Sequence, residues 1–364
     1  MQHPQQPGLC KKLAMQFDLF YEISHPAQLV RTESQAFTDT LAEIVLADQL
    51  GFGCAWLVEH HFMRGYSHSA APDLVLAAVS QRTQRIRLGL SVTPLPYHHP
   101  LHVAERAATL DILSQGRLEL GIGRGFSPQE YQAFGVNMAN SRTLTNESLA
   151  ILRQALSGQQ VTFQGEHFHL NALNVVPSPI QRPHPPLWTA AVSPDTFVWA
   201  AQAQLGALAG PFKPWIMVKQ DIRHYLDAWQ APEPARTGMT IGLFCLPDGK
   251  RARELAGPAL VWFYQQLLST TLPVLERLYP SYEHFHDLGR FRHLLKLGIN
   301  LTLLETFGMA VVGSPAECVD KLQRYREAGV TNLLCAVGAG ALDTALVQES
   351  LHCIANEVIP AFAV

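Results

Sequence analysis

Three short stretches carry side chains able to do chemistry. The run WLVEHHF, Trp56 to Phe62, closes an apolar segment with Glu59 and two adjacent histidines, His60 and His61. An imidazole exchanges protons near neutral pH, so a histidine at a pocket suits acid–base work or hydrogen bonding to a ligand. Two histidines beside a glutamate also resemble metal ligands. Adjacent side chains on a strand diverge, however, and neither HExxH nor HxH spacing occurs here. Strand parity puts Trp56, Val58 and His60 on one face and Leu57, Glu59 and His61 on the other; it does not say which face meets a ligand. The second stretch is GIGRG, with Arg124 and Gly125 at its end. It fails as a GxGxxG fingerprint, because Phe126 stands where the last glycine belongs. Its glycines still let a backbone approach a ligand, and its guanidinium calls for an anionic partner. The third is VSPDT, where Ser193 can cap a helix and Thr196 lies in the first turn. Free N–H groups there bind phosphate well. Packing, a tight turn and simple capping are the plainer readings of the three stretches.

These residues need a scaffold that brings distant segments to one rim. The chain alternates strand-like runs (MQFDLFYEI, CAWLVEH, IRLGLSVTPLP, RLELGIGRG, PLWTAAV, GALAGP, MTIGLFCLP, VTNLLCAVG) with helical patterns. Helix signals include Ser34 as a cap, Gly51 as a terminator, Pro100 at a start, and a Ser314–Glu317 capping box. Eight such strands, apolar on both faces, predict a parallel (β/α)8 barrel of the α/β class; an open doubly wound sheet is the alternative. A hairpin excursion follows strand four, and a helical insertion at about 251–310 precedes strand eight. Barrels of this kind collect their sites at the C-terminal strand ends, where all three stretches fall.

Composition narrows the classes. The chain has 364 residues, 48% hydrophobic and 16% charged, with a net charge of -3. That is globular, and no global field recruits nucleic acid. The basic runs QRTQRIR and GRFRHLLK read as solvated helix ends. Six cysteines show no CxxC pair, so reduced thiols and a cytoplasmic location are expected. No apolar run is long enough to span a membrane. Residues 1–14 lack a signal peptide's apolar stretch and are expected to be a disordered tail, or to precede the true start at Met15. Residues 15–364 are expected to form a single domain.

Taken together, GFGCAWLVEHHF, VTPLPYHHPLHVAERAATLDILSQGRLELGIGRG, FGVNMANSRTL, PLWTAAVSPDTFVWAA and VVGSPAECVDKLQRYREAGVTNLLCAVG resemble the bacterial luciferase-like family of flavin-dependent monooxygenases. The resemblance implies a (β/α)8 barrel that takes reduced FMN from a separate NAD(P)H:flavin reductase. It implies oxygenation of an organic substrate, often an aldehyde, through a peroxyflavin. His60 matches the family's catalytic histidine. Arg124 with Gly125, Ser193 and Thr196 matches its phosphate positions. Ser91 and Val92 match a site under the isoalloxazine that often carries a non-proline cis peptide. The resemblance also implies a homodimer, with His61 supporting the site or the interface and Glu105 of one subunit a candidate to meet it. Gly123 departs from the pattern, because luciferases often carry a reactive cysteine there; this argues against light emission. The aromatic segment 251–300 replaces the luciferase mobile loop region and is a candidate lid for an apolar or carrier-borne substrate. A deazaflavin-dependent hydride-transfer oxidoreductase and a non-catalytic flavin-binding protein are the alternatives.

Overall fold

The first strand is buried at five of its six positions, the pattern of a strand covered on both faces. The computed structural model describes residues 14–278, 298–340 and 342–363. In chain order the elements begin β1 (Gln16–Tyr21), α1 (Glu33–Leu50), β2 (Cys54–Leu57), α2 (Pro72–Ser80), β3 (Arg87–Pro94), α3 (Pro100–Leu113), β4 (Leu118–Gly123), α4 (Pro128–Ala133) and α5 (Ser141–Leu156). A hairpin follows, β5 (Val161–Gln164) with β6 (His169–Leu173). Then come β7 (Leu187–Ala191), α6 (Pro194–Gln202), β8 (Gly206–Ala209), α7 (Trp215–Ala228), β9 (Thr237–Cys245) and α8 (Gly249–Leu278). The last are α9 (Leu301–Thr306), β10 (Ala310–Gly313), α10 (Pro315–Glu327), β11 (Asn332–Cys335) and α11 (Thr344–Cys353).

Eight parallel strands close on themselves in the order β1, β2, β3, β4, β7, β8, β9, β11 and back to β1. Each strand expected from the sequence takes its place in this (β/α)8 barrel. One more was missed. β10 pairs with the C-terminal half of β9, Ala310 opposite Gly242 and Gly313 opposite Cys245. Four residues between two helices are too short for periodicity to single out.

The helix signals hold with one correction. Gly51 ends α1 in the left-handed region at φ 87°, and Ser314 with Glu317 forms a reciprocal capping box. The cap of α1 is Thr32, not Ser34: its side chain accepts from the Gln35 N–H while the Gln35 side chain accepts from the Thr32 N–H. That T-x-x-Q signal is legible two residues upstream of where the apolar periodicity begins. QRTQRIR begins at the C-cap of α2, Gln81, with Arg82 and Arg85 exposed as a solvated helix end would be, and runs on as a bonded turn. Its Arg85 N–H donates to Asp48 at 2.8 Å, and Arg87 pairs with Glu119. GRFRHLLK and the first thirteen residues lie outside the described residues. Among the described residues no helix is long and apolar enough to cross a membrane.

Two indoles cross the barrel interior. Trp56 on β2 and Trp188 on β7 meet edge to face with ring centroids 5.4 Å apart, 0% and 2% exposed. Trp56 Nε1 donates to Asp18 on β1 at 2.9 Å, and Trp188 Nε1 donates to Glu119 on β4 at 2.6 Å. Their neighbours in register are glycines, Trp56 opposite Gly89 and Trp188 opposite Gly206. A Cβ on either glycine would fall inside the adjoining ring. Gly89→Ala is therefore expected to cost about 1–3 kcal/mol, the usual penalty for forcing a methyl into a filled core. Thermal unfolding should show a Tm several degrees lower; an unchanged Tm would mean that the Trp56 ring is free to move.

Candidate active site

The floor of the site is backbone. β3 and β4 keep register to Leu90 opposite Leu120, slip, and resume at Thr93 opposite Ile122. The slipped pair is Ser91–Val92, and the peptide bond between them is cis, as the resemblance implies. Gly121 lets the bulge close down, since a Cβ there would strike the Leu90 carbonyl. Gly123 faces the Val92 side chain with the Ala190 methyl behind it. The position where luciferases carry a cysteine is thus filled by Val92, which explains why only glycine fits.

Beside this floor is a corner that joins a guanidinium to a helix N-terminus. β4 and β7 run in register, Ile122 opposite Thr189, so Arg124 and Ser193 leave adjacent strand ends. Among the described residues the Arg124 guanidinium makes no ion pair. Ser193 caps α6, its Oγ accepting from the Thr196 N–H at 3.3 Å and lying 2.9 Å from the Thr196 hydroxyl. Pro194 at the first helical position leaves no N–H to satisfy. Lys213, 5% exposed, donates to the Val192 carbonyl at 2.9 Å and pairs with Asp221. It anchors the residue before the cap. Gly125 has φ 71°, and a Cβ there would meet the Tyr97 hydroxyl, so its turn and packing account for it apart from any ligand.

The histidine doublet sits differently from the strand reading. β2 ends at Leu57, and strand alternation does not reach His60. The chain leaves the sheet because its hydrogen bonds change partner. Val58 N–H still reaches Tyr21 of β1, but the Val58 carbonyl accepts the Ser69 hydroxyl at 2.6 Å, and His60 N–H donates to the Ser69 carbonyl. A left-handed Phe62, φ 63°, completes the turn. The two rings separate all the same. His60 packs edge-on against Phe126, just after GRG, with centroids 5.3 Å apart. Its Nδ1 is 3.5 Å from Glu130 Oε1. His61 instead shares Glu59 with His98, at 3.2 and 2.5 Å. Burial would raise the Glu59 carboxyl, but the two imidazoles outweigh it and hold it below its ordinary value. His60 is shifted the other way. Burial disfavours its charged form, and the carboxylates of Glu22, Glu130 and Glu59 overcome that and raise it.

The structure thus brings Arg124, Ser193 and Thr196 to neighbouring strand ends, with His60 against the residue that follows GRG. Glu105 is exposed on α3. Glu130 is the residue missed. It is 1% exposed, accepts from the His61 N–H at 2.9 Å and from the Tyr97 hydroxyl at 3.1 Å, and faces His60. Its sequence signal, Ser127-x-x-Glu130, reads as a capping box. Ser127 does cap α4, but the carboxylate turns to the histidines instead of its own helix end.

The luciferase-like monooxygenase family model matches residues 15–332. Limonene 1,2-monooxygenase of Rhodococcus erythropolis is 31% identical, over 86% of this chain and 79% of that one. The FMN-complexed oxygenating constituent of 3,6-diketocamphane monooxygenase from Pseudomonas putida, a type II Baeyer–Villiger monooxygenase, superposes with a TM-score of 0.76 at 22% identity, over 96% of this chain and 99% of that one. Coenzyme F420-dependent tetrahydromethanopterin reductase from Methanopyrus kandleri does so with a TM-score of 0.68 at 21% identity, over 96% and 99%. At those identities the two structures speak for the fold alone. The match along most of the sequence speaks for more: the chain belongs to the luciferase-like monooxygenase family.

Proposed function

We propose that the protein is an FMN-dependent monooxygenase that uses reduced FMN and O2 to oxygenate a small organic substrate. The observation that carries this is the Arg124 guanidinium, without an ion pair among the described residues, beside the N-terminus of α6. A permanent charge at a barrel rim needs an anion, and the phosphate of FMN supplies one. Arg124, Ser193 and Thr196 would hold that phosphate. The floor of Ser91, Val92 and Gly123, lacking any bulky side chain but Val92, would lie under a flat ring. Bound reduced flavin supplies the oxygen chemistry; the protein orients, shields and moves protons. His60 would hydrogen-bond the reactive edge of that ring and exchange a proton there. The resemblance to flavin-dependent monooxygenases supports a separate NAD(P)H-dependent reductase as the source of the reduced flavin.

The substrate is read from the aromatics. Phe263 on α8, 1% exposed, packs 6.0 Å from Tyr66, which in turn lies against His60. That wall favours an apolar substrate. The part of the expected lid beyond residue 278 lies outside the described residues. A homodimer through the helices after β2 and β3 fits Leu74 on α2 and Ile112 and Leu113 on α3, which are 68%, 40% and 43% exposed. Light scattering should give twice the chain mass; a monomer at micromolar concentration would remove the dimer.

Replacing Arg124 with Ala should weaken reduced-FMN binding about 10–100-fold, the worth of one charge-assisted contact. Unaltered affinity would place the phosphate elsewhere. The same titration with the deazaflavin F420 decides the cofactor, since tighter binding of F420 would replace this reading with hydride transfer. With reductase and oxygen-18 gas, label should enter the product. His60→Ala should abolish that incorporation with circular dichroism unchanged; full incorporation would end the role given to His60.

A further inference from the structure

A buried ion pair lies behind the rim and has no part in the scheme above. Lys213 stands in the short loop between β8 and α7, and Asp221 lies in the second turn of α7. They pair with only 6% and 3% of their side chains exposed. Lysine is almost never buried this far unless paired. Such a pair is weak evidence of stability, because apolar residues of the same volume often serve a fold equally well. A third contact sets this one apart. Lys213 Nζ also donates to the Val192 carbonyl at 2.9 Å, across 21 residues of chain.

Val192 stands where one tether has a large effect. β7 and β8 pair in register as far as Ala191 opposite Ala209. The Val192 carbonyl lies one residue further on, past the last pair of that ladder. Next comes Ser193, whose Oγ and carbonyl accept from the Thr196 N–H at 3.3 and 2.9 Å and whose carbonyl also accepts from the Phe197 N–H at 3.2 Å. Pro194 has no N–H with which to hold the turn. The loop that carries Lys213 is itself held. The Phe212 ring packs on Gly210, where a Cβ would fall 2.2 Å from it, and the Trp215 N–H donates to the Phe307 carbonyl at 2.7 Å. A bonded path therefore runs from α7 through Asp221 and Lys213 to Val192 and the first turn of α6. Lys213 is 5% exposed and offers a ligand almost no surface. Paired with Asp221, it also adds little net charge to the rim. What it supplies is position.

We propose that Lys213, held by Asp221, is a positioning residue for the phosphate end of the flavin. It fixes the Val192 carbonyl, so that Ser193 and Thr196 present the N-terminus of α6 to the phosphate beside Arg124. The inference rests on the phosphate site proposed above. The flavin ring would lie on the Ser91–Val92 floor, which this pair does not touch. Removing the pair should therefore weaken the grip on the phosphate and leave the grip on the ring.

The test compares reduced FMN with reduced riboflavin, which has the same ring and no phosphate. The wild-type protein should bind FMN the more tightly of the two. The double variant Lys213→Met, Asp221→Leu removes both charges together, leaves no buried charge alone, and should keep a Tm close to the wild-type value. Anaerobic titration should show FMN binding weakened about 10-fold, the usual effect of losing one hydrogen bond from a charged group, with riboflavin affinity unchanged. Lys213→Arg keeps a charged donor for the Val192 carbonyl and should recover most of the FMN affinity. In the flavin-free protein, amide hydrogen exchange at Thr196 and Phe197 should be faster in the double variant than in the wild type. Asp221→Asn is the second variant should the double one not fold; it keeps the volume and a partner for Lys213, and should lower the preference for FMN by a smaller factor. Equal weakening of both flavins would mean general distortion and overturn the proposal, and so would an unchanged preference for FMN. A wild-type protein that binds the two flavins equally would instead end the phosphate reading, and this inference with it.

Discussion

The structure depends on how the barrel is filled. Eight parallel strands enclose a space that must be packed without stranding polar atoms. Here two indoles do most of it from opposite sides. Each needs flat room, which the glycines next to it in register provide, and each needs an acceptor, which Asp18 and Glu119 provide. The acceptors are costly. Burial raises Asp18 to about 7 although Trp56 and Asn332 both donate to it. Charged groups belong in an interior only when tied this way. The arrangement fixes the register of β1, β2, β4 and β7 against one another, and those are the strands whose C-terminal ends carry Glu22, His60, Arg124 and Ser193.

With the strands fixed below, the rim is free to be irregular. β3 slips at Ser91–Val92, β2 stops early, and β4 gives up its side chains at Gly121 and Gly123. Irregular backbone on a rigid base is how binding loops are usually held. The result is a surface of unlike halves. One half has a guanidinium without an ion pair among the described residues and a helix N-terminus, and favours negative charge. The other has two imidazoles and three buried carboxyls, Glu22, Glu59 and Glu130, and holds protons.

The fold was largely legible because the eight barrel strands are long apolar runs bounded by helix signals. What was lost was short or local. β10 spans four residues and carries no period. The cap at Thr32 precedes the apolar face that drew attention to Ser34. The site was legible in its types and illegible in its directions. Parity assigned His60 and His61 to opposite faces of a strand that in fact ends at Leu57, and the rings diverge because Ser69 and Glu130 pull the chain out of the sheet. Glu130 was hidden by its own motif: S-x-x-E is a helix cap on paper, and only the fold shows the carboxylate facing elsewhere. Glu22 had no motif at all, being one more polar residue after a strand.

The two histidines illustrate how environment divides identical side chains. His61 and His98 spend their donors on Glu59, which they keep ionised, and that trio is closed to further chemistry. His60 has carboxylates around it but no short hydrogen bond to any of them, its Nδ1 resting 3.5 Å from Glu130. It therefore gains charge stabilisation without being locked to one partner. A group that holds its proton more tightly than in the unfolded chain stabilises the fold below the ordinary histidine range, and that contribution is lost as pH rises through the raised value. The same feature that favours the protonated ring in the folded state leaves its nitrogen free to give the proton up. A histidine pinned to a single carboxylate, as His61 is, would have traded that freedom for rigidity.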